Sequence, residues 1–345
     1  MSQVETEIRE QPDVLARLLR EGRSRAEEIA AKIRERAPGY VVIAARGSSD
    51  NAARYAQYLF GAHNRLAVCL ATPSLYTVYG AGPSLAGALV VGVSQSGRSP
   101  DIVAVLEAGR RDGSLTLAIT NEPESKLARA AEYVLPLGAG PERAVAATKT
   151  YSASLGALAM LSAALEANPE RWEELGRLPA SLRAALEANQ ALDDAVARYR
   201  YAEQFVVVGR GFNYSTAFEV ALKMKETSYL VAEPYSPADL LHGPVAMIDR
   251  GFPALVIAAS GRVLPDLAAL MGTLADRHAE LVAISDDSGI LARARVGLRL
   301  PSGIPEWLSP LVAVLPGQLF AVALARTRGL DPDSPRGLSK VTETL

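Results

Sequence analysis

Three hydroxyl groups and an amide are grouped in residues 94–99, which read SQSGRS. The segment follows an apolar run and precedes a helical pattern, so we expect it to join the carboxyl end of a strand to the start of a helix. A phosphate group binds well there, because unpaired N–H groups and the helix dipole converge and small residues let the anion approach. Ser94, Gln95, Ser96 and Ser99 are therefore candidate phosphate ligands. A turn that only caps the helix is the alternative.

A second pair of hydroxyl groups, those of Ser48 and Ser49, follows another apolar run at residues 40–45. Ligands of open parallel sheets bind at the edge where the carboxyl ends of the strands meet. Hydroxyl groups from two neighbouring loops can therefore converge on one anion, which favours a phosphate site over a capping turn.

The second half of the chain carries ionisable groups instead. Lys223 and Glu226 lie in a helical stretch, and His242 follows in the segment 240–244, which reads LLHGP. A carboxylate and an imidazole are the usual pair for moving protons on and off carbon and ring oxygen near neutral pH. Taken alone, Glu226 also fits a solvated helix residue, and His242 also fits a loop histidine whose hydrogen bonds are satisfied.

The elements that position these groups alternate between strands and helices. Apolar runs at residues 40–45, 88–93, 115–119 and 133–137 are predicted strands, and helical patterns follow them. Buried parallel strands are continuous apolar runs, so this half is predicted to be a doubly wound, mostly parallel α/β sheet. The spacing of leucine and isoleucine in residues 13–36 predicts one or two helices before it.

An internal repeat runs through the chain at an offset of 164 residues, as from Arg46 to Arg210 (210 − 46). The tripeptides SGR at 96–98 and LAR at 127–129 return at 260–262 and 291–293. Three matches at one offset indicate a tandem duplication, and therefore two flavodoxin-like α/β domains. The second copy has lost most of the hydroxyl groups, since residues 258–263 read AASGRV. Only the first copy is expected to bind phosphate.

The domain boundaries follow from this repeat. We expect a helical segment at residues 1–36, a first, phosphate-binding domain at 37–178 and a second domain at 179–328. The polar residues 329–345 are expected to form a C-terminal tail that completes the active site, with a frayed tail as the alternative.

The composition excludes several classes of protein. The 345 residues include 36 basic and 38 acidic side chains and are 49% apolar, which predicts neither a nucleic-acid binder nor a disordered tail. Cys69 is the only cysteine, and the three histidines lie far apart, so we expect no disulfide, metal site or cofactor. We find no signal peptide and no apolar run near the roughly 20 residues of a membrane helix, and we expect a cytoplasmic protein.

The chain resembles the tandem sugar-isomerase (SIS) domains, and in particular the isomerase half of the glutamine:fructose-6-phosphate amidotransferases. The resemblance covers nearly the whole chain in the same order. It is carried by the segments 7–12 (EIREQP), 47–49 (GSS), 94–97 (SQSG), 147–149 (ATK), 209–211 (GRG), 221–226 (ALKMKE), 242–244 (HGP) and 333–336 (DSPR).

The resemblance implies a role for each candidate residue. Glu226 would move a proton between C1 and C2 of the sugar, and His242 would assist ring opening from a neighbouring subunit of a homodimer. Lys340 matches a lysine that forms a Schiff base with the open-chain ketose, which needs an amine in a desolvated pocket, and Lys223 matches a further active-site lysine. The residues that would bind the sugar phosphate are Ser48, Ser49, Ser94, Gln95, Ser96 and Ser99.

One departure from the amidotransferases bears on the reaction. Their glutaminase domain precedes the segment 7–12, whereas only a few residues precede it here and Cys69 is in the wrong place for its nucleophile. We therefore expect the reverse reaction, in which glucosamine 6-phosphate loses ammonia through an enolamine and leaves fructose 6-phosphate. The alternatives are a fructosamine-phosphate deglycase, an aldose-ketose isomerase, a synthase module served by a separate glutaminase, and a non-catalytic phosphosugar-binding regulator.

Overall fold

The computed structural model describes residues 1–340, and residues 341–345 lie outside the described part. The last five residues of the predicted C-terminal tail therefore have no structural account. Strands β1 to β10 are Tyr40–Ala44, Ala67–Leu70, Ala88–Ser94, Leu115–Thr120, Tyr133–Pro136, Gln204–Val208, Val231–Tyr235, Pro253–Ile257, Glu280–Ser285 and Val296–Arg299. Helices α1 to α14 are Gln3–Arg9, Gln11–Arg36, Ser48–Asn64, Ser74–Thr77, Pro100–Arg111, Lys126–Ala130, Lys149–Glu166, Pro169–Ala188, Asp193–Val196, Tyr214–Ser228, Pro237–Leu241, Leu264–Asp276, Ser288–Arg293 and Ser309–Thr327.

The described strands form two five-stranded, fully parallel sheets with the same topology. The first sheet has the order β2-β1-β3-β4-β5 and the second has the order β7-β6-β8-β9-β10. This is the 2-1-3-4-5 order of flavodoxin-like folds. The first residues of β1 and β6, Tyr40 and Gln204, lie 164 residues apart, as the repeat requires. The predicted duplication into two doubly wound α/β sheets is confirmed.

Burial explains why the strands could be recognised. All residues of β3 and β4 are buried, which is why they read as continuous apolar runs. Removing each such valine, leucine or isoleucine side chain from water contributes roughly 1.5–3 kcal/mol. The edge strand β2 was missed, although residues 66–71 (LAVCLA) are a short apolar run. Its residues alternate between exposed and half-buried.

The chain divides into two compact units by its internal contacts. The first-sheet unit comprises Asp13–Glu142, Lys149–Arg177, Ser339 and Lys340, and the second-sheet unit comprises Met1–Pro12, Arg143–Thr148 and Leu178–Leu338. Each unit therefore draws on several separate stretches of the chain. The boundaries expected after residues 36, 178 and 328 stay predictions.

Helix α14 corrects one expectation from the sequence. By length and composition the segment Glu306–Thr327 could cross a membrane, and it is the one such segment within residues 1–340. Its most apolar stretch is nevertheless entirely buried inside the protein, and α10 packs along it. An apolar helix buried on all sides is typical of the core of a large domain. We therefore interpret α14 as a core helix.

The described part of the C-terminal tail is attached to the second-sheet unit up to Leu338. Both carboxylate oxygens of Asp333 accept hydrogen bonds from the first N–H groups of α1, those of Gln3 at 2.6 Å and Val4 at 2.7 Å. The N–H of Arg336 donates to the hydroxyl of Tyr229 at 2.8 Å. A carboxylate at a helix N-terminus satisfies donors that would otherwise have no partner. The tail is therefore held in place between Asp333 and Arg336, and the alternative of a frayed tail does not apply to this stretch.

Candidate active site

Residues 94–99 join β3 to α5, as the sequence predicts. The Oγ of Ser94, the last residue of β3, accepts a hydrogen bond from the N–H of Gly97 at 3.1 Å. Ser99 stands at the N-cap of α5, but its side chain makes no capping hydrogen bond. The alternative in which the serines only cap the helix therefore finds no support at Ser99.

Gly97 fixes the shape of this loop. Its φ of +60° lies in the left-handed region, and a Cβ there would overlap the side chain of Ser125. The carbonyl of Gly97 accepts a hydrogen bond from the N–H of Leu127 at 3.1 Å. Only glycine therefore fits, and the loop is held against the start of α6.

Ser48 and Ser49 are the first two residues of α3, which begins after the three-residue loop 45–47 that follows β1. Strands β1 and β3 are neighbours, with Ala44 paired to Gly92 near their carboxyl ends. Both serine loops consequently leave the first sheet at the same edge. Gln95 and Ser96 are half-buried, as are Ser48 and Ser49.

An arginine between these loops was not singled out for chemistry in the sequence. The Nε of Arg46 donates to Oδ2 of Asp101 at 2.8 Å. Asp101 lies on the first turn of α5 with its side chain fully buried, whereas the side chain of Arg46 is 49% exposed. The recurrence of Arg46 as Arg210 was the signal that could have drawn attention to it.

A second carboxyl group lies beside the serines on α3. Burial raises the pKa of Asp50, and the charges of Arg54 and Arg46 offset this only in part. Arg54 also donates a hydrogen bond to Asp50 at 3.2 Å. Arg46 therefore contributes positive charge near both a buried and a partly buried carboxyl group.

The corresponding loop of the second sheet has a different character. The N–H of Ser260 donates to the carboxylate of Asp286 at 2.8 Å. The carboxyl group of Glu306 lies so close to Gly261 that a Cβ on that glycine would overlap it. Two carboxylates therefore accompany this loop, which adds an electrostatic reason to expect phosphate at the first copy only.

The second-sheet unit contains a buried ionic cluster on α10. The Nζ of Lys223, whose side chain is 2% exposed, lies 2.5 Å from Oε2 of Glu226 and 3.4 Å from Oε1 of Glu219. The contact with Glu226 is an ion pair by distance, but its angles are not those of a hydrogen bond. Glu219 is fully buried and Glu226 is 24% exposed, so Glu226 is the carboxylate that a substrate can reach. Glu219 was not among the candidate residues chosen from the sequence.

His242 is exposed at the C-terminal end of α11. Its backbone N–H donates to the backbone carbonyl of Ala238 at 3.1 Å. Within residues 1–340 its imidazole ring makes no hydrogen bond. The apolar side chains of Leu241 and Met247 nearby are 49% and 40% exposed. The structure therefore brings Lys223 and Glu226 together and does not bond His242 to either.

Lys340 is held by a carboxylate that the sequence did not single out. Its Nζ donates to Oε2 of Glu142 at 2.7 Å, within the first-sheet unit. Glu142 is fully buried and also accepts hydrogen bonds from the N–H and the hydroxyl of Thr150, at 3.0 and 2.8 Å. Lys340 is therefore positioned by the first turn of α7, where a carboxylate is favoured by the helix dipole.

Glu7, in the first segment that carries the family resemblance, has a structural role. It is fully buried and accepts a hydrogen bond from the N–H of Arg143 at 2.6 Å. The N–H of Ala144 lies within 3.4 Å of both its oxygens. Glu7 thus fixes the chain shortly before residues 147–149. Within residues 1–340, no group of three or more acidic, cysteine or histidine side chains is placed to hold a metal ion.

Comparison with known proteins identifies the two repeated units. The sequence profile of the SIS domain matches residues 36–164 and 199–328. The glutamine–fructose-6-phosphate aminotransferase (isomerizing) of Zymomonas mobilis is 33% identical over 98% of this chain, which corresponds to 58% of that protein. The chain spans about half the length of the aminotransferases that it matches.

Solved structures agree with this result. A protein described as a phosphosugar isomerase from Silicibacter pomeroyi is 36% identical, with a TM-score of 0.87 over 96% of this chain and 100% of that one. The C-terminal domain of the glucosamine-fructose-6-phosphate aminotransferase of Francisella tularensis is 26% identical, with a TM-score of 0.86 over 97% and 98%. The chain belongs to the SIS-domain family and carries that domain twice in tandem.

Proposed function

We propose that this chain isomerises a phosphorylated amino sugar and releases its amine, converting glucosamine 6-phosphate and water into fructose 6-phosphate and ammonia. The observation that carries the proposal is the cluster on α10, where the reachable carboxylate of Glu226 is paired with the buried ammonium of Lys223. A carboxylate held in this way is suited to take a proton from carbon and return it to the neighbouring carbon.

The proposed steps balance in atoms and protons. His242 moves a proton from the C1 hydroxyl to the ring oxygen, which opens the ring to an aldehyde. Glu226 removes the C2 proton while O1 takes up a proton, which gives a C1–C2 enolamine. Glu226 then returns its proton to C1 while the amine nitrogen gives up one proton, which replaces the proton taken by O1 and leaves an imine at C2. Water adds to C2, and ammonia leaves as the C2 ketone forms. Lys223 keeps a positive charge beside the carboxylate during both transfers.

The phosphate group is assigned to the first copy in this proposal. The loops at 48–49 and 94–99 present hydroxyl groups at the edge of the first sheet and at the start of two helices. Anions are favoured at such helix ends, and small residues allow a close approach. The acidic loop of the second copy, with Asp286 and Glu306, supports the same assignment.

Lys340 and Glu142 fit a covalent variant of the mechanism. A lysine must lose a proton before its nitrogen can attack a ketone. Glu142 lies 2.7 Å from that nitrogen and can accept the proton, so that the Lys340 amine can form a Schiff base at C2 with loss of water. This pair would then hold the open-chain ketose during isomerisation.

A homodimer is part of the proposal, because His242 is exposed with apolar neighbours and has no partner for its imidazole within residues 1–340. Mixing subunits that carry His242→Asn with subunits that carry Glu226→Gln should restore part of the activity if each site takes its histidine from the other subunit. Sedimentation of a fully active monomer would contradict this arrangement.

A second candidate is the opposite direction, in which fructose 6-phosphate and ammonia form glucosamine 6-phosphate. It is favoured by the similarity to the isomerizing aminotransferases, which extends over 97–98% of this chain at 33–34% identity. The same residues would serve both directions, because a catalyst accelerates a reaction both ways.

The test is a panel of reactions with the purified protein. We expect glucosamine 6-phosphate to give equal amounts of ammonia and fructose 6-phosphate. Formation of glucosamine 6-phosphate from fructose 6-phosphate and ammonium, without net ammonia release, would favour the second candidate. Release of an amino acid from a fructosamine phosphate would indicate a deglycase. If folded protein turned over no phosphosugar in the panel, the proposal would be wrong.

A further inference from the structure

We infer that Arg46, oriented by the buried carboxylate of Asp101, is a further ligand of the substrate phosphate. This inference rests on the proposed function, because it adds a residue to the same site. It assigns Arg46 to binding and Asp101 to positioning, and neither residue touches the reacting carbons.

The place of Arg46 in the fold is the first argument. It follows the last residue of β1 by two positions and precedes Ser48 and Ser49 by two and three. Its partner Asp101 follows the second serine loop, two residues after Ser99. The ion pair thus ties together the two loops that carry the candidate phosphate ligands.

The unused donors of Arg46 are the second argument. The Nε is occupied by Asp101, and within residues 1–340 neither Nη atom has a hydrogen-bond partner. A guanidinium group is planar and matches two oxygens of a phosphate with parallel N–H groups. With Nε anchored and the side chain 49% exposed, the Nη edge can face a ligand.

The burial of Asp101 is the third argument. A carboxylate that is fully buried needs a paired cation and hydrogen bonds, and here it receives both from Arg46 and from the N–H of Ile102 at 2.9 Å. A guanidinium fixed in this way loses little side-chain freedom when a ligand arrives. The pair is therefore a preorganised half of an anion site.

The second copy supplies a matched control within the same chain. Arg210 forms the same kind of pair with Asp266, at 3.1 Å, but both side chains are exposed, at 38% and 55%. The loop beside it carries the carboxylates of Asp286 and Glu306. The second copy therefore has an arginine–aspartate pair but lacks most of the serine hydroxyl groups of the first. We assign Arg210 and Asp266 no role in phosphate binding.

The experiment measures binding of fructose 6-phosphate by titration calorimetry. The double variant Arg46→Gln/Asp101→Asn removes both charges together, so that no buried carboxylate is left unpaired. We expect its Kd to rise about 10- to 100-fold, as for the loss of hydrogen bonds to a charged group. The matched variant Arg210→Gln/Asp266→Asn should change the Kd less than twofold. Arg46→Lys keeps the charge without the planar fork and should fall in between.

Two further readouts separate this inference from a structural effect and from the proposed function. At saturating substrate, kcat of the Arg46 double variant should stay within about threefold of wild type, while binding of unphosphorylated fructose should not change. Equal losses in both double variants, or an unchanged Kd in the first, would overturn the inference. Because the titration needs no turnover, wild-type protein that binds the ligand but releases no ammonia would refute the proposed reaction and leave Arg46 assigned.

Discussion

The two SIS domains of this chain place the same motif, SGR, after the same strand and give it opposite surroundings. Ser96 shares its loop with Ser94 and Ser99, and the pair of Arg46 and Asp101 joins the helix after that loop to the loop after β1. Ser260 donates its N–H to Asp286, and the carboxyl group of Glu306 lies against Gly261. The difference teaches that a duplicated loop can keep its place after the strand while its neighbours become acidic, and acidic neighbours disfavour an anion there.

The helices that follow the first strand of each sheet differ in a complementary way. Helix α3 begins with the serines, whereas α10 carries the buried cluster of Glu219, Lys223 and Glu226. After duplication each copy could lose what the other retained. We therefore expect variants in the first copy to affect binding and variants in the second copy to affect proton transfer.

The largest effect is expected from Glu226→Gln, which keeps the shape of the side chain and removes its basic oxygen. We expect kcat to fall by roughly 100- to 10,000-fold, the usual contribution of a general base. Glu233→Gln is the matched control, since Glu233 is an exposed carboxylate paired with Lys225 and should be dispensable. Steady-state ammonia release checks both. Activity of Glu226→Gln within tenfold of wild type would remove the catalytic role from Glu226.

Gly97→Ala tests whether the first loop depends on its backbone. An alanine there meets both the positive φ and the side chain of Ser125, whereas Gly80→Ala has the same φ of +60° and open space. We expect Gly97→Ala to lower the free energy of unfolding by about 2–4 kcal/mol and Gly80→Ala by about 1–2 kcal/mol. Denaturant titrations measure both. Equal losses would mean that the contact with Ser125 does not define the loop.

Ser96→Ala and Ser260→Ala compare the two copies of the motif directly. Loss of one hydrogen bond to a charged phosphate group should raise KM about tenfold for Ser96→Ala. Ser260→Ala should leave KM within twofold, because Ser260 uses its backbone N–H, and within residues 1–340 its hydroxyl has no hydrogen-bond partner. Initial-rate kinetics with the phosphosugar give both values. A comparable rise in the two variants would erase the distinction between the loops.

The smallest effect is expected on the pH dependence of stability, and it concerns Asp50. In the second copy the corresponding residue is Tyr214, which has no carboxyl group. Because burial raises the pKa of Asp50, the folded protein holds that proton more tightly than the unfolded chain does. The contribution of Asp50 to stability is therefore present at low pH and is lost as pH rises through the raised pKa. Relative to wild type, Asp50→Asn should gain unfolding free energy between pH 3.5 and pH 7. A relative loss over that range would contradict the assigned direction.

Much of the fold could be predicted because its signals are local. The strands β1, β3, β4 and β5 were located to within one residue at each end, since continuous apolar runs mark buried parallel strands. The edge strand β2 also lies in an apolar run, at residues 66–71 (LAVCLA), and was missed all the same. Helix α14 was not recognised as apolar enough to span a membrane, and only its surroundings show that it is a core helix.

The positions of the candidate residues after the strands could be predicted from the sequence, whereas the distant residues that pair with them could not. The assignment of these residues to a site stays a prediction. Hydroxyl groups after a strand suggest a phosphate loop without further information. The pair of Lys340 and Glu142 joins residues 198 positions apart, and the pair of Arg46 and Asp101 joins residues 55 positions apart. No local pattern announces such contacts, because they depend on which strands become neighbours. The close approach of Glu306 to Gly261 could not be predicted from the sequence for the same reason.

Solvent exchange at C1 of fructose 6-phosphate tests the division of labour most directly. Proton NMR in D2O, at saturating ligand and with ammonium added to re-form the C2 imine, records the loss of one C1 hydrogen. The account predicts exchange near the wild-type rate in Ser96→Ala and in Arg46→Gln/Asp101→Asn, and exchange at least 100-fold slower in Glu226→Gln. Normal exchange in Glu226→Gln, or its loss in the first-copy variants at saturation, would contradict the account.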